Sequence, residues 1–117
     1  MAVKTYNKLV RDKIPDIIAK QGKSVTFHIV KGEDLKEALN SKLFEEVREL
    51  INAETEEQII EEMEEQIIEE MVDVMEVLYA IKDMYGISES DLDDRRFEKI
   101  DEKGGLREGY FLESVSD

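Results

Sequence analysis

The residues best suited to chemistry are two pairs of acids that recur at helical spacing in a Glu-rich region of the chain. Glu46 and Glu49 form the first pair, and Glu70 and Asp73 form the second. At about 100° per residue, the first acid of each pair lies about 60°, and the second about 120°, from a central apolar residue of its helix. Each helix is therefore predicted to carry one acid on the shoulder of its apolar face and another just behind it.

The shoulder of an apolar face is the place where two packed helices meet, so the two pairs would converge if the helices run antiparallel. Four acids in a half-buried seam repel one another and are costly to desolvate. Magnesium relieves that cost because it takes oxygen ligands, and it completes its shell with water and substrate phosphates. The ordinary alternative is that Glu46 and Glu70 simply reach into water. The spacing alone leaves both interpretations open.

The elements that would position these acids can be predicted from hydrophobic period and from turn residues. Residues 33–85 contain no Gly or Pro and follow a helical period, with a break expected near Asn52–Thr55, where Thr55 and Gln58 form a capping box. Gly86 is expected to stop this helical region. The other predicted elements are a helix-like arm at Tyr6–Lys20 interrupted by Pro15 and ended by Gly22, strands at Ser24–Val30 and Tyr110–Val115, and a helix at Ser88–Lys99 capped by Ser88. We therefore expect one all-α domain over residues 1–117, an antiparallel helix bundle with a small two-stranded accessory sheet.

Charge and composition exclude several classes of partner. The chain of 117 residues is 41% hydrophobic and 39% charged and has a net charge of −14, which argues against nucleic acid and anionic membranes as primary partners. The charge is uneven, at +4 over residues 1–23 and −13 over residues 44–76. There is no cysteine, no run of about 18 apolar residues and no signal-peptide pattern at the start, so we expect a cytoplasmic protein.

Several motifs of this chain resemble those of the all-α nucleoside triphosphate pyrophosphatases, the group that includes MazG, the helical dUTPases and phosphoribosyl-ATP pyrophosphatase. Glu45-Glu46-x-x-Glu49 followed by Glu70-x-x-Asp73 is similar to the acidic signature of that group. The resemblance to its small MazG-like house-cleaning subgroup spans nearly the whole chain, through YNKLVRDKIPDII, KLFEEVREL, MVDVMEVLYAI and FEKIDEKGGLREGYFLE.

The resemblance implies a MazG-like bundle that hydrolyses a nucleotide between its α and β phosphates, giving a monophosphate and pyrophosphate. Glu46, Glu49, Glu70 and Asp73 would hold Mg²⁺, with Mn²⁺ as an alternative, and Glu45 would be a further ligand or a base that orients water. The candidates for binding the phosphates are Lys8, Arg11, Lys13, Lys99 and Lys103. A single basic residue of this kind is more often an ordinary surface charge than a phosphate ligand. Relatives of this kind are usually dimers or higher homo-oligomers, and the broad apolar arc of the second helix agrees with that state.

One feature departs from the family pattern. The eight residues EEQIIEEM at 56–63 are repeated at 64–71, which indicates a tandem duplication or an insertion. With a turn at Thr55, Glu49 and Glu70 would miss each other by about 13 Å along the helix axes.

Three outcomes of the repeat stay open. The turn shifts toward Gln58–Glu61 and lengthens both helices, Glu62 and Glu65 of the first copy replace Glu70 and Asp73, or the hairpin opens into one long helix that swaps between protomers. The main rival to an enzyme is a non-catalytic helical oligomerisation module, a pyrophosphatase fold that the repeat has inactivated. A calcium-buffering pair of acidic helices is a third interpretation, without an EF-hand loop to support it.

Overall fold

The fold of this protein is all-α, as predicted. A computed structural model describes residues 3–55 and 60–116, although not the side chains of residues 55, 60 and 61. These residues form the helices α1 (Ile14–Lys20), α2 (Gly32–Thr55), α3 (Ile60–Met84) and α4 (Glu89–Lys103). The chain clusters into two compact units, Met1–Ile81 and Lys82–Asp117, which are described separately below. The single-domain organisation stays a prediction.

The predicted two-stranded sheet is wrong for the part of the chain that the structure describes. Residues 24–30 and 110–115 contain no strand there. Most of their large apolar side chains are exposed, for example Phe27 at 62% and Tyr110 at 96%. Alternating β-branched and aromatic residues favour a strand only where a partner strand completes the ladder, and two strands alone are marginally stable.

The N-terminal arm, residues 3–13, is not helical, which corrects the prediction of a helix-like arm from Tyr6. The helix α1 begins only at Ile14, and Pro15 stands in its first turn instead of interrupting it. Proline suits this place because its fixed φ is close to the helical value and the first amides of a helix have no partner inside the helix. At the other end, Gly22 takes a φ of 81°, and its amide donates a hydrogen bond to the backbone carbonyl of Ala19 at 3.0 Å. The predicted end of the helix is therefore confirmed.

The helices α2 and α3 form a hairpin whose connection lies inside the first copy of the repeat. The prediction that Thr55 begins the second long helix is wrong, because Thr55 is the last residue of α2 and α3 begins at Ile60. Nine residues separate Glu46 from Thr55 and ten separate Ile60 from Glu70, which is about 14 Å and about 15 Å at ~1.5 Å per residue. The two arms of the hairpin therefore match in length. The predicted shift of the turn toward Gln58–Glu61 is wrong at Ile60 and Glu61, which are helical, and its remainder lies outside the described residues.

The seam between α2 and α3 is centred on the acids and not on the predicted apolar faces. The buried residues of α2 are Leu39, Glu46 and Ala53, spaced by seven residues. In α3, Glu70 and Val77 are buried at the same spacing. Residues seven apart lie within about 20° on a helix, so one narrow stripe of each helix faces the other. Each apolar face is thus rotated outward by about 60–70° from the position expected from its helical wheel.

The outward rotation leaves an exposed apolar stripe on both long helices. On α2, Phe44 is 76% exposed and Ile51 is 53% exposed, and Val47 lies between them. The corresponding residues of α3 are Ile68, Met71, Val72, Met75 and Leu78, each 47–58% exposed. Because the helices of a hairpin run in opposite directions and both stripes are offset from the seam in the same rotational sense, the two stripes lie on one side of the hairpin.

The second unit contains the end of α3 and the helix α4. The predicted stop at Gly86 is confirmed, because Gly86 adopts a φ of 67°. The Ile87 amide donates to the backbone carbonyl of Lys82, and the Gly86 amide donates to that of Asp83, both at 3.0 Å. These two bonds form a Schellman motif. The predicted cap of α4 is also confirmed, since the Ser88 hydroxyl accepts from the Asp91 amide at 3.0 Å. None of the helices in the described residues combines the length and the apolar character needed to cross a lipid bilayer.

Candidate metal centre

Three carboxylates from the two long helices meet in the seam of the hairpin. Glu46 comes from α2, and Glu70 and Asp73 come from α3. One oxygen of each lies within 4.8 Å of the other two. Glu46 is only 7% exposed and Glu70 only 8% exposed, whereas Asp73 is partly exposed. The hairpin thus brings together three of the four predicted metal ligands, despite the repeat.

Glu70 is the carboxylate least satisfied by its surroundings. Its Oε1 accepts a hydrogen bond from Gln66 Nε2 at 2.8 Å, but its Oε2 is buried and has no hydrogen-bond partner. Burial raises the pKa of Glu70, and the nearby charges of Asp73, Glu46 and Glu49 raise it further, against a smaller lowering by the Gln66 bond. A buried oxygen without a donor is costly, so this position favours a proton or a cation.

Glu46 has a cationic partner that the sequence reasoning missed. Lys42 Nζ lies 3.0 Å from Glu46 Oε1 and 3.6 Å from Glu45 Oε2, and its side chain is only 17% exposed. The signal was present in the sequence, because a lysine four residues before a glutamate lies one helical turn away on the same face. Lys42 therefore offsets part of the negative charge on the α2 side of the seam.

The N-terminal arm supplies two further cations. Lys8 Nζ lies 3.0 Å from Glu45 Oε1 on α2, and Arg11 Nη2 lies 2.7 Å from Asp73 Oδ1 on α3. These hydrogen bonds raise the pKa of both basic groups. The Lys8 and Arg11 side chains are both more than one third exposed, so each pair contributes about 0–1 kcal/mol to the stability of the fold. The arm thus bridges the two helices of the hairpin beside the metal centre.

Glu45 is held ionised by its two basic neighbours. Partial burial pushes the pKa of Glu45 up, but the hydrogen bond from Lys8 and the charge of Lys42 outweigh burial, so the pKa is lowered. Glu45 faces the lysines and is not one of the three residues whose oxygens lie within 4.8 Å of one another.

The other predicted site residues lie outside the three-carboxylate cluster. Glu49 is exposed on α2, although its charge contributes to the raised pKa of Glu70. Glu62 and Glu65 of the first repeat copy are exposed on α3, which disagrees with the outcome in which they replace the downstream acids. Lys13 is exposed at the start of α1. Lys99 and Lys103 are exposed on α4 in the second unit, and their role stays a prediction.

The chemistry of this cluster suits a hard divalent cation. All three groups are carboxylates, the ligand type that Mg²⁺ prefers. The buried Glu70 Oε2 has no hydrogen-bond donor, and a cation could take the place of that donor. The third carboxylate, Asp73, is 36% exposed, and its Oδ1 pairs with Arg11. Comparison of this chain with known protein families, with curated proteins and with solved structures finds no match.

Proposed function

We propose that this protein is a magnesium-dependent nucleotide pyrophosphohydrolase of the MazG-like kind, which cleaves a nucleoside triphosphate or a related nucleotide between its α and β phosphates. The observation that carries the proposal is that Glu70, whose buried Oε2 has no hydrogen-bond partner, belongs to a cluster of carboxylates from both helices. A purely structural seam would be expected to use apolar residues at these positions, because burying like charges together destabilises a fold. A cation and a phosphate ligand account for their presence.

Each acid has a distinct role in this proposal. Glu46, Glu70 and Asp73 would hold the cation, and Glu49, one turn along α2 from Glu46, would be a fourth ligand. A bound Mg²⁺ or Mn²⁺ would supply charge neutralisation on the phosphate oxygens and acidify water for in-line attack on phosphorus. Glu45 stays ionised beside Lys8 and Lys42, so it can orient a water molecule by accepting its hydrogen bond.

The basic arm provides the complementary half of the site. Lys8 and Arg11 already lie beside the cluster, and Lys13 follows them on the same arm. A triphosphate carries its negative charge along a short chain, so it needs cations spread over several ångströms together with the metal ion. In a protein with a net charge of −14, these cations are well placed to attract the phosphates to the site.

We further propose that the functional form is a homo-oligomer, with a dimer as the simplest case. Few apolar residues are buried within one chain, since Leu39, Ala53 and Val77 are the buried hydrophobic residues among those described. The apolar stripes of α2 and α3 lie on one side of the hairpin, and Leu43, Phe44 and Val47 line an apolar depression there. Packing two such hairpins stripe to stripe would make a four-helix bundle and give each chain the core that it lacks.

The direct test of the enzymatic proposal is a screen for pyrophosphate release. The protein is incubated with each common nucleoside triphosphate at about 1 mM, the upper end of the range of typical KM values, with MgCl₂ in excess over the nucleotide, and the products are separated by anion exchange. We expect equal amounts of monophosphate and pyrophosphate, with loss of at least about 100-fold in turnover for Glu70→Gln. The matched control is Glu69→Gln, which removes the same charge from the neighbouring exposed position.

Two results of this screen would redirect the interpretation. Equal turnover of Glu70→Gln and Glu69→Gln would remove Glu70 from the site. Absence of pyrophosphate release with every nucleotide, combined with no calorimetric Mg²⁺ binding in either the wild type or Asp73→Ala, would support the rival function as a helical oligomerisation module.

A further inference from the structure

The ion pair between Arg11 and Asp73 places a protein cation on one of the three carboxylates of the metal centre. Arg11 Nη2 and Asp73 Oδ1 are 2.7 Å apart, and the charges of Glu76 and Glu46 also favour the guanidinium there. The side chain of Arg11 is 51% exposed, and it comes from the non-helical arm instead of from the hairpin. Arg11 is therefore a cation that can leave without disturbing the seam.

A divalent cation at this centre and Arg11 would compete for the carboxylate of Asp73. A metal ion held by Glu46, Glu70 and Asp73 would place two positive charges a few ångströms from the guanidinium, and like charges at that distance repel strongly. The exposed ion pair is weak on its own, so a cation with three carboxylate ligands can displace it.

Lys42 differs from Arg11 in this respect. It belongs to α2 itself, is largely buried, and lies within 3.6 Å of Glu45 as well as beside Glu46. When a cation takes Glu46, Lys42 can keep its interaction with Glu45. Arg11 has no second carboxylate at ion-pair distance among the described residues, so its loss of Asp73 frees the whole side chain.

We propose that Arg11 is a built-in competitor for the metal centre, paired with Asp73 in the metal-free protein and expelled when a divalent cation binds. Expulsion releases the arm from α3 while Lys8 keeps it attached to α2 through Glu45. The freed guanidinium then becomes available to an anion only after the cation has bound, which imposes an order of binding. This inference rests on the cation-binding part of the proposed function.

The first test is calorimetric titration of Mg²⁺ into the full chain at low ionic strength. Arg11→Gln is expected to tighten Mg²⁺ binding by about 3- to 10-fold, the scale of removing one exposed unit charge beside the ion. Arg11→Lys, which keeps the charge, is expected to return most of the way to the wild type. The matched control is Lys20→Gln, which removes the same charge from an exposed pair with Asp16. The effect of Arg11→Gln should shrink in 0.5 M NaCl because salt screens exposed charges.

The second test reports release of the arm without any need for activity. Trypsin binds an arginine or lysine side chain together with the extended backbone around it, so cleavage between Arg11 and Asp12 requires both that Arg11 leaves Asp73 and that the arm opens locally. We expect 5 mM MgCl₂ to raise the rate of this cleavage at least about 2-fold relative to cleavage after Lys20 in the same digest, because proteolysis follows the population of the open form. Glu70→Gln is expected to abolish the effect of Mg²⁺ on that ratio.

The outcomes separate this inference from the proposed function. Mg²⁺ binding to the wild type with no tightening in Arg11→Gln, or an unchanged cleavage ratio, would overturn the competitor role and leave the metal centre standing. Binding to Arg11→Gln alone would support the competitor role in its strongest form. Absence of Mg²⁺ binding in both proteins would overturn the inference together with the metal centre.

Discussion

Replacement of Glu70 by glutamine is the most informative single change in this protein. The substitution keeps the shape of the side chain and the acceptor for Gln66, and it replaces the buried, unpartnered Oε2 by an uncharged amide group in the cluster with Glu46 and Asp73. An unsatisfied buried polar group costs about 1–3 kcal/mol, so we expect Glu70→Gln to raise the free energy of unfolding of the metal-free protein by about 1–2 kcal/mol. The melting temperature at pH 7.5 should then rise by roughly 3–6 °C per kcal/mol for a chain of this size.

Magnesium should reverse the order of stability between the two proteins. A ligand that binds only the folded state stabilises it by about 2.7 kcal/mol when present at 100 times its Kd, and the wild type should show a gain of this kind. Glu70→Gln lacks one of the three carboxylates and should gain much less. The assay is thermal unfolding followed by circular dichroism, with EDTA and with a series of MgCl₂ concentrations.

The control for this experiment is Glu69→Gln, which makes the same change in net charge at the adjacent exposed position. It should melt close to the wild type in EDTA and keep the full response to Mg²⁺. The reasoning is refuted if Glu70→Gln is less stable than the wild type in EDTA, or if both variants respond equally to Mg²⁺.

Four further predictions concern the seam, its repeat and the exposed stripe of α3. The pKa of Glu70 is raised in the folded protein, so the folded state holds this proton more tightly than the unfolded chain does. The free energy of unfolding of the metal-free wild type should therefore fall as pH rises from the ordinary glutamate range through the raised pKa. Denaturant titrations from pH 4.5 to 8 should show this fall in the wild type and not in Glu70→Gln. Glu62→Gln, in the first repeat copy, should leave the thermal response to Mg²⁺ unchanged, and loss of the response would assign a ligand to that copy. Deletion of residues 56–63 should keep the Mg²⁺ response. Eight residues are about two helical turns, so we expect the hairpin to re-form with each of its two helices one turn shorter. A lost response would contradict this equal shortening. Met75→Glu, on the exposed stripe of α3, should shift an oligomer toward the monomer in light scattering, whereas an unchanged mass would show that the stripe is not the interface.

Local signals in the sequence predicted about half of the helix ends correctly, whereas the start of α1, the ends that flank the connection between α2 and α3, and the end of α4 at Lys103 instead of Lys99 differ from the prediction. Ser88 caps α4 and Gly86 ends α3, because a hydroxyl that accepts an amide bond and a glycine with positive φ act within a few residues of their own position. Pro15 was misjudged for a related reason. A proline is compatible with the first turn of a helix as well as with a break, and the start of α1 decides between the two.

The orientation of the hairpin could not be predicted from either helix alone. The helical wheel of α2 placed its apolar face near Leu43 and Val47, with Glu46 on the shoulder, whereas the structure centres the contact on Glu46. A wheel shows which residues share a face, but it cannot show which face packs inside the chain when an apolar stripe is available for a second contact. The same limit applies to the repeat, since Thr55 had good capping chemistry, yet α2 continues to this residue and buries Ala53 in the seam.

The candidate centre was predictable in its residue types and only partly in its membership. Helical periodicity predicted that Glu46, Glu70 and Asp73 lie close together between the two helices. Each of these acids directly precedes an apolar residue and so lies beside the apolar face of its helix. Glu49 was expected among them, but it lies in solvent, since the seam is rotated toward Glu46. The pair between Arg11 and Asp73 spans 62 positions, and no local pattern reports a contact at such separation.

The central claim is that carboxylates of α2 and α3 share one divalent cation. A crystal grown with MnCl₂ and a non-hydrolysable nucleotide analogue, measured at the manganese absorption edge, tests it most directly. We predict an anomalous peak within about 2–2.5 Å of carboxylate oxygens from Glu46, Glu70 and Asp73, with a phosphate oxygen completing the shell. A map with no peak in the seam, or with manganese bound by acids of only one of the two helices, would contradict the claim.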